Sequence, residues 1–453
     1  TANTSGANNV AVGTNALDAN TTASNNTALG YSAGSAVTTG TGHTLIGALA
    51  GDALTTATFN TAVGYGALSA DTIGNKSTAI GYAALFNQNY TSATDAYNTA
   101  VGFHSGVSVT TGIHNTIIGG LAGDALTDAD SNIAIGVSAL ATQNFTSATD
   151  TFNTAVGFNA GLAVTTGVQN TLIGGLAGDA ITTGSNNTGI GKDALSSTTT
   201  GGTNTAVGIA CMQYNTTASN NSALGYNALN ANTTGTSNVA VGALALDANT
   251  TASSNTAVGT SALGANTTGT RNTAVGANAG DAITTASYNS LFGTHAGSTI
   301  TTGAVNSAFG DYALSANTTG ASNTAVGQAA LTASTTASNN TAVGYAALLA
   351  NTTGETNVAV GYHAGIAITT GPNNTIIGSA TAASLTTGIG CAIVGHANNV
   401  SSATGNYAMA LGYNLTCADG YTTLGANAVD IRAVHGNITW ATVSDERYKK
   451  DIV

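Results

Sequence analysis

The positively charged side chains of this sequence are concentrated in its last twelve residues, TVSDERYKKDIV. Seven Lys and Arg occur in the whole chain, and three of them are Arg447, Lys449 and Lys450. A serine hydroxyl attacks a peptide carbonyl only when a neighbouring base takes its proton, and Ser444 has basic residues close by in sequence. An ordinary solvated C-terminus would carry the same charges. The segments that precede it decide between these two interpretations.

No arrangement for binding a metal or a cofactor is visible elsewhere in the sequence. The seven His form no His-x-His pair, and Cys211, Cys391 and Cys417 lack the spacing of metal ligands. A calcium-dependent β-roll would need a repeated Gly-Asp loop, and the repeats contain neither this loop nor a Ser-His-Asp arrangement. The sequence therefore predicts no metal, no cofactor and no enzymatic activity within the repeats.

Charge and hydropathy argue against several classes of partner. Only 6% of the residues are charged, the net charge is −12, and no basic patch is available to neutralise phosphates. No apolar run reaches about 18 residues, the length that a membrane span needs. We therefore expect neither nucleic-acid binding nor membrane insertion. The hydrophobic content of 42% argues against disorder.

A five-residue core, typically Asn-Thr-Ala-Val-Gly, recurs about 25 times between Asn9 and Gly425. The step is about 17 residues almost everywhere, as from Asn9 to Asn26. Two steps are longer and the last is shorter, and they run from Ser77 to Asn98, from Asn132 to Asn153 and from Ala408 to Tyr421. We number each repeat from its Asn, so that the Gly is position 5.

A fixed period of this kind is typical of a solenoid. The sequence predicts an all-β fold, a parallel β-solenoid of about 25 coils. Each coil would have one strand at the five-residue core and a second at the Ala-Leu or Ala-Gly that follows.

Two features of the repeat indicate that the coils stack in register. The Asn at position 1 would lie on the Asn of the next coil, so that the amides form a hydrogen-bonded ladder. Where position 9 is Leu, as at Leu229, position 12 is polar, most often Asn. Where position 9 is Gly, as at Gly280, position 12 is Val, Ile or Leu. One apolar volume is filled from either position, as a close-packed interior requires.

The predicted strand is apolar on both faces, because positions 3 and 4 are both apolar, as at Ile117 and Ile118. One face can enter the core of the coil, and the other needs a cover that other copies of the chain could supply. We therefore predict a homo-oligomer around a central axis, a homotrimer. With about 4.8 Å of rise per coil, the repeats would extend over about 120 Å. That length suits a spacer or a display shaft.

The Asn-Thr-Ala-Val-Gly repeats resemble the head repeats of trimeric autotransporter adhesins over residues 9–425. The resemblance implies a left-handed parallel β-roll, intertwined or packed as a homotrimer. The period of this chain is longer than the family's usual repeat. This departure leaves the handedness and the cross-section open.

The segment Ser-Asp-Glu-Arg-Tyr-Lys-Lys-Asp-Ile at 444–452 resembles the opening of the intramolecular chaperone domain of phage tailspikes and tail fibres, among them the endosialidase tailspikes. Tyr448 stands where that family usually has Leu. The resemblance implies a domain that trimerises the fibre, assists its folding and cleaves itself between Ser444 and Asp445. Ser444 would be the nucleophile and Lys449 the assisting base. These residues are not expected to be catalytic without the remainder of that domain.

The sequence thus predicts three regions. Residues 1–425 form the repeat shaft, residues 426–444 form a β neck that closes the core, and residues 445–453 begin the chaperone domain. The neck contains Trp440, the single Trp of the chain. A solenoid end needs such a cap because its last strand otherwise leaves an open edge.

The two longer repeats extend one turn with near-duplicate segments, FNQNYTSATDAYN from Phe86 and ATQNFTSATDTFN from Ala141. They would stand on the same side of the solenoid, a few coils apart. Exposed aromatic rings beside Asn and Thr suit stacking on sugars. The receptor-contact candidates are therefore Phe86, Tyr90, Tyr97, Phe145 and Phe152. Alternatively, each insertion packs its own rings against the solenoid.

We expect a structural fibre protein, the shaft of a trimeric phage tail fibre or tailspike in the virion tail. It would serve host attachment through a cell-surface glycan or protein receptor and would be matured by self-cleavage of its chaperone. The alternative is a bacterial trimeric surface adhesin or extracellular filament at the bacterial cell surface. An enzyme is the third class, and it would depend on the chaperone or on a glycan-degrading domain upstream of Thr1.

Overall fold

The computed structural model describes residues 3–427, 429–436 and 441–442. The chain forms two compact units, Thr1–Thr234 and Gly235–Val453. The fold is a parallel β-solenoid of about 25 turns with a period of about 17 residues. All regular structure in the described ranges is β, which confirms the predicted fold class. Those ranges contain no helix that is long and apolar enough to cross a membrane.

In the first unit each coil contributes a three-residue strand that pairs in parallel with the strands of the neighbouring coils. The pairing follows the repeat, so that Thr27 lies beside Thr44 and Ala28 beside Leu45. The strands of this unit are β1 (Val10–Val12), β2 (Thr27–Leu29), β3 (Thr44–Ile46), β4 (Thr61–Val63), β5 (Gly74–Asn75), β6 (Thr78–Ile80), β7 (Thr94–Asp95), β8 (Thr99–Val101), β9 (Thr116–Ile118), β10 (Ala129–Asp130), β11 (Ile133–Ile135), β12 (Thr149–Asp150), β13 (Thr154–Val156), β14 (Thr171–Ile173), β15 (Thr188–Ile190), β16 (Thr205–Val207) and β17 (Ser222–Leu224).

The second unit repeats this arrangement and ends differently. Its parallel strands are followed by an antiparallel hairpin, in which Leu424 lies beside Ile431. The strands of this unit are β18 (Val239–Val241), β19 (Thr256–Val258), β20 (Thr273–Val275), β21 (Ser290–Phe292), β22 (Ser307–Phe309), β23 (Thr324–Val326), β24 (Thr341–Val343), β25 (Val358–Val360), β26 (Thr375–Ile377), β27 (Ala392–His396), β28 (Asn399–Val400), β29 (Met409–Tyr413), β30 (Thr416–Cys417), β31 (Tyr421–Ala426), β32 (Val429–Val434) and β33 (Ala441–Thr442).

The strand occupies positions 2 to 4 in most coils, and the Gly at position 5 follows it, whereas β27, β29 and β31 continue through this Gly. Position 3 points into the coil and is buried, as at Ala62, whereas positions 2 and 4 point outwards. Gly13 shows why position 5 is Gly. Its φ is 132°, and a Cβ there would lie 2.3 Å from the carbonyl oxygen of Gly30 in the next coil. Both the backbone conformation and the close approach of the next coil therefore require Gly.

The predicted second strand is wrong for most coils. The segment after position 5 is a series of turns in which positions 7 and 9 have positive φ, as at Asn15 (59°) and Leu17 (49°). Left-handed residues in alternation cannot form an extended strand. The coils remain hydrogen-bonded there, because the Leu17 N–H donates to the Ala33 carbonyl oxygen at 3.1 Å. At the predicted place after position 5, the described residues form a second strand only near the C-terminal end, where β28 pairs with β30.

The predicted Asn ladder is present, although most of its bonds go to the backbone. Asn26 is typical, because its Oδ1 accepts from the His43 N–H at 2.8 Å and its Nδ2 donates to the Gly40 carbonyl oxygen at 2.9 Å. Direct amide-to-amide bonds occur in some coils, as from Asn187 Nδ2 to Asn170 Oδ1 at 3.2 Å. The ladder thus satisfies backbone groups that burial would otherwise leave unpaired.

The predicted size compensation is confirmed, and it involves a third position. A Cβ on Gly34, at position 9, would lie 3.3 Å from Val37 Cγ2 and 2.6 Å from Leu45 Cδ1. Leu45 is at position 3 of the next coil, where most coils have Ala. A Cβ on Gly51, at position 9 of the coil of Leu45, would lie 2.9 Å from Leu45 Cδ2. One large side chain at position 3 therefore fills the space that two glycines leave.

β31 is the last of the parallel strands, and β32 pairs with it in the antiparallel direction. The predicted start of the neck at residue 426 falls at the end of β31, so that the cap begins within the last copy of the repeat. Trp440 lies outside the described residues.

Candidate functional site

The predicted cleavage residues Ser444, Asp445 and Lys449 lie outside the described residues. Their role in self-cleavage stays a prediction. The site that the structure does describe is the pair of inserted loops in the first unit.

Each insertion replaces positions 14 and 15 of its coil by six residues, 90–95 in the first loop and 145–150 in the second. A two-stranded parallel pair holds each loop at its C-terminal end. In the first loop β5 pairs with β7, so that Asn75 lies beside Asp95. In the second loop β10 pairs with β12, so that Asp130 lies beside Asp150. The two loops are therefore anchored in the same way.

A buried polar network supports the first loop. Tyr90 is only 6% exposed, and its hydroxyl donates to the Gly112 carbonyl oxygen at 2.9 Å. Asn98 Nδ2 donates to Gln88 Oε1 at 2.9 Å, and Gln88 Nε2 donates to Asp71 Oδ2 at 2.8 Å. Burial raises the pKa of the Asp71 carboxyl above its usual value. Tyr90 is thus a structural residue, and its prediction as an exposed receptor contact is wrong.

Tyr97 is 51% exposed, but neighbouring coils occupy the faces of its ring. The Lys76 ammonium lies 4.9 Å from the ring centroid, and the His114 ring stacks at a centroid distance of 5.9 Å. Lys76 Nζ is also bound to Asp95 Oδ2 at 2.6 Å and to the Tyr97 hydroxyl at 2.9 Å. This hydrogen-bonded ion pair lowers the pKa of Asp95 and raises the pKa of Lys76. A sugar has no free face of Tyr97 on which to stack.

The remaining predicted rings differ in exposure. Phe145 is half-buried and packs against the hydrophobic core, and its carbonyl oxygen accepts a hydrogen bond from the Thr127 hydroxyl. Phe86 and Phe152 are 36% and 53% exposed. Each loop therefore packs one ring inwards, as the alternative interpretation has it, while Phe86 and Phe152 remain available for contact.

Sequence reasoning about rings missed the most exposed part of both loops, which is polar. Residues 91–93 and 146–148 are exposed, and both segments read Thr-Ser-Ala. Thr94 donates its hydroxyl to the Ser92 carbonyl oxygen at 3.0 Å, and Thr149 does so to Ser147 at 2.9 Å. The duplicated TSATD sequence was the signal that could have found them.

Each unit also carries an apolar face, which we define as the outward side chains at position 4 together with the apolar side chains at position 6. In the first unit the rings of Tyr65, Tyr82 and Phe103 at position 6 stack at 5.4 Å between neighbours. In the second unit Phe292 and Phe309 at position 4 stack at 4.8 Å. Stacking hides the faces of these five rings, so that they offer their edges to a flat partner.

The described residues contain neither a metal-binding cluster nor a reactive thiol. No group of three or more His, Cys, Asp and Glu side chains is placed there to hold a metal ion. Cys211, Cys391 and Cys417 are buried free thiols. Burial raises the pKa of the Cys211 thiol to about 12, which keeps it protonated and unreactive at neutral pH.

The comparisons with known proteins give no relative: no protein-family model, no curated protein and no solved structure matches this chain. The function is therefore inferred from the inserted loops and the apolar face.

Proposed function

We propose that the chain is the shaft of a trimeric phage tail fibre or tailspike, a structural protein for host attachment. The observation that carries the proposal is the apolar face. A parallel solenoid has a buried core of its own, and a second, outward stripe of apolar side chains has no role in a single chain.

The apolar face supports assembly because it is too regular and too exposed for a solitary molecule. At position 4, Leu29 and Leu224 of the first unit are 47% and 50% exposed, and Phe309 of the second unit is 39% exposed. At position 6, Tyr31 and Tyr226 are 58% and 56% exposed. Large apolar patches on soluble proteins mark interaction surfaces. Identical faces on copies of the chain fit around a common axis, because position 4 is apolar in every repeat and would meet its counterpart on the other copies.

The inserted loops support a separate role in attachment. They leave the coil at positions 14 and 15, whereas the apolar face carries positions 4 and 6. Trimer packing through the apolar face would therefore not require the loops. A fibre that assembles through one surface and meets its receptor through another needs this separation.

Self-cleavage would complete maturation. The resemblance of residues 444–452 to the opening of a tailspike chaperone supports cleavage between Ser444 and Asp445, with Lys449 as the assisting base. The intact mass of the mature subunit tests this step. A subunit that ends at Ser444 is expected. A mature subunit that continues past Asp445 would contradict cleavage.

A pair of charge substitutions tests assembly through the apolar face. Phe309→Lys with Val326→Lys places two charges on this face in consecutive coils. We expect the trimer to dissociate, because buried charges without partners are strongly unfavourable. The matched control is Thr319→Lys with Thr336→Lys, at exposed turn positions of the same coils. Equal oligomeric mass of both variants by sedimentation equilibrium would overturn this role of the face.

The bacterial trimeric adhesin remains the second candidate, because the repeats resemble adhesin heads. Mass spectrometry of purified virions separates the two. Peptides of this chain in virions favour the tail fibre, whereas peptides confined to the bacterial envelope favour the adhesin.

A further inference from the structure

The two inserted loops present the same short polar surface twice. The tips, residues 91–93 and 146–148, have the same sequence and the same exposure, and each is followed by a Thr that bonds back to the tip. The first residues of the two loops differ, because Tyr90 is buried whereas Phe145 is half-buried. The identity is therefore concentrated in the part that faces solvent.

The solenoid fixes the distance between the two tips. The strands β6, β8, β9 and β11 of the intervening coils pair in parallel and in register, which makes three coil steps from one loop to the other. With about 4.8 Å per step, the two tips are displaced by about 14 Å along the stacking direction. In-register stacking also places them on the same side, so that one extended ligand can reach both.

The charges at the loops argue against an acidic ligand. At the first loop the Lys76 ammonium is already bound to Asp95 at 2.6 Å. The second loop has Ser131 in place of Lys76, and Asp130 and Asp150 lie side by side there. An acidic polymer would be repelled by these carboxylates. Exposed Ser and Thr hydroxyls with a nearby carboxylate instead suit hydrogen bonds to neutral hydroxyl groups.

We propose that the two loops bind one neutral polysaccharide at two equivalent points, with its repeating groups spaced to match the displacement of about 14 Å. The inference rests on the proposed attachment function and specifies its receptor class. Two weak sites on one rigid scaffold make the second contact intramolecular, which raises the overall affinity by about 10²–10⁴-fold without any new kind of contact. The duplication of the tip is thereby explained as bivalent recognition.

Matched loop variants test the proposal. Thr91→Ala with Ser92→Ala alters the first tip, and Thr146→Ala with Ser147→Ala alters the second. The control is Thr183→Ala with Thr200→Ala, two exposed threonines on ordinary coils of the same unit. Because all these residues are exposed, thermal unfolding of the three variants should match the unaltered protein. Binding is measured on an array of neutral, acidic and cationic polysaccharides and their single-repeat oligosaccharides.

We expect binding to a neutral polymer, a loss of about 10²-fold or more for either single-loop variant, and no loss for the control. The single-repeat oligosaccharide should bind weakly, and either single-loop variant should still bind it. A preference for acidic or cationic polymers, no binding to any neutral polymer, or unchanged affinity of the single-loop variants would overturn the proposal. If the protein is a trimer but fails these binding tests, the polysaccharide proposal is wrong and the fibre proposal stands. If the protein binds as expected but is a monomer, only the trimeric-fibre proposal is contradicted.

Discussion

At the scale of single residues, His43 shows how the Asn ladder tolerates substitution. It occupies position 1 and reproduces both bonds of an Asn: its Nδ1 accepts from the Asn60 N–H at 3.2 Å, and its Nε2 donates to the Ala57 carbonyl oxygen at 2.8 Å. This requires a neutral imidazole, because a protonated Nδ1 cannot accept. Burial lowers the pKa of His43 below its usual value of 6.5.

The lowered pKa of His43 predicts a pH-dependent stability. The unfolded chain binds a proton at His43 more readily than the folded protein, so that stability is full above pH 6.5 and is lost as pH falls toward the lower folded pKa. His43→Asn should remove this loss, because Asn keeps both bonds at every pH. The melting temperatures of both proteins at pH 7.5 and pH 5 measure this loss of stability. An equal drop in melting temperature in both proteins would contradict the assignment of a neutral His43.

Asp71 predicts the opposite pH dependence. Burial raises its pKa above the usual 3.8, so that the folded protein holds this proton more tightly than the unfolded chain. Stability therefore falls as pH rises from 3.8 through the raised folded pKa. Asp71→Asn should remove this contribution to the pH dependence, because Asn does not titrate, although its NH2 group cannot accept the hydrogen bond from Gln88 Nε2. Denaturant unfolding at pH 4 and pH 7 measures the pH dependence, with the exposed Asp18→Asn as the control. The same loss of pH dependence in the control would refute burial as the cause.

At the scale of the coil, we expect Gly→Ala substitutions to cost much more stability at position 5 than at position 6. Gly276 has a φ of 137°, and a Cβ there would lie 2.4 Å from the Gly293 carbonyl oxygen. Gly276→Ala should destabilise the solenoid by at least about 1–3 kcal/mol. Gly175, at position 6, has nothing within 4 Å of such a Cβ, so that Gly175→Ala should be nearly neutral. Chemical unfolding compares them, and similar losses would show that coil spacing does not select Gly.

The shared filling of the core predicts coupling between coils. A Cβ on Gly280 would lie 2.7 Å from Leu291 Cδ1, so that Gly280→Leu should clash, and Leu291→Ala should leave a cavity that costs about 2–5 kcal/mol. The double variant should lose less than the sum, because the new Leu enters the vacated space. Additive losses in denaturant titrations of the single and double variants would argue against a common volume.

The coil also shows how much of the fold could be predicted from sequence. The strand, the ladder and the exchange between positions 9 and 12 follow from residues that recur at fixed spacing, such as Gly13 and Leu229. The prediction of a second strand was wrong because Asn15 and Leu17 adopt positive φ. A Leu in the sequence gives no sign of this conformation. The role of Leu45 was missed because it acts on glycines of two coils.

In the loops, too, some features could be predicted from the sequence and others could not. Their position and duplication could be predicted, because the inserted residues interrupt a constant period. The accessibility of the rings could not, since it depends on side chains one coil away. Tyr97 is covered by Lys76 and His114, which are adjacent in the stack and distant in sequence.

At the scale of the whole molecule, we expect a trimer to show unusual resistance to unfolding. Three solenoids that cover one another's apolar faces would hide all the exposed position-4 side chains, and dissociation would expose them together. We expect the assembled protein to migrate as a trimer in detergent gels without boiling and as a monomer after boiling. Migration as a monomer in both samples would count against an assembly of this kind.

The most direct test is the mass of the assembled protein in solution, measured by native mass spectrometry at micromolar concentration. We expect a single species of three chains, and we expect Phe309→Lys with Val326→Lys to shift this species to one chain. A stable single chain in the unaltered protein, with its apolar face exposed to water, would contradict the central claim.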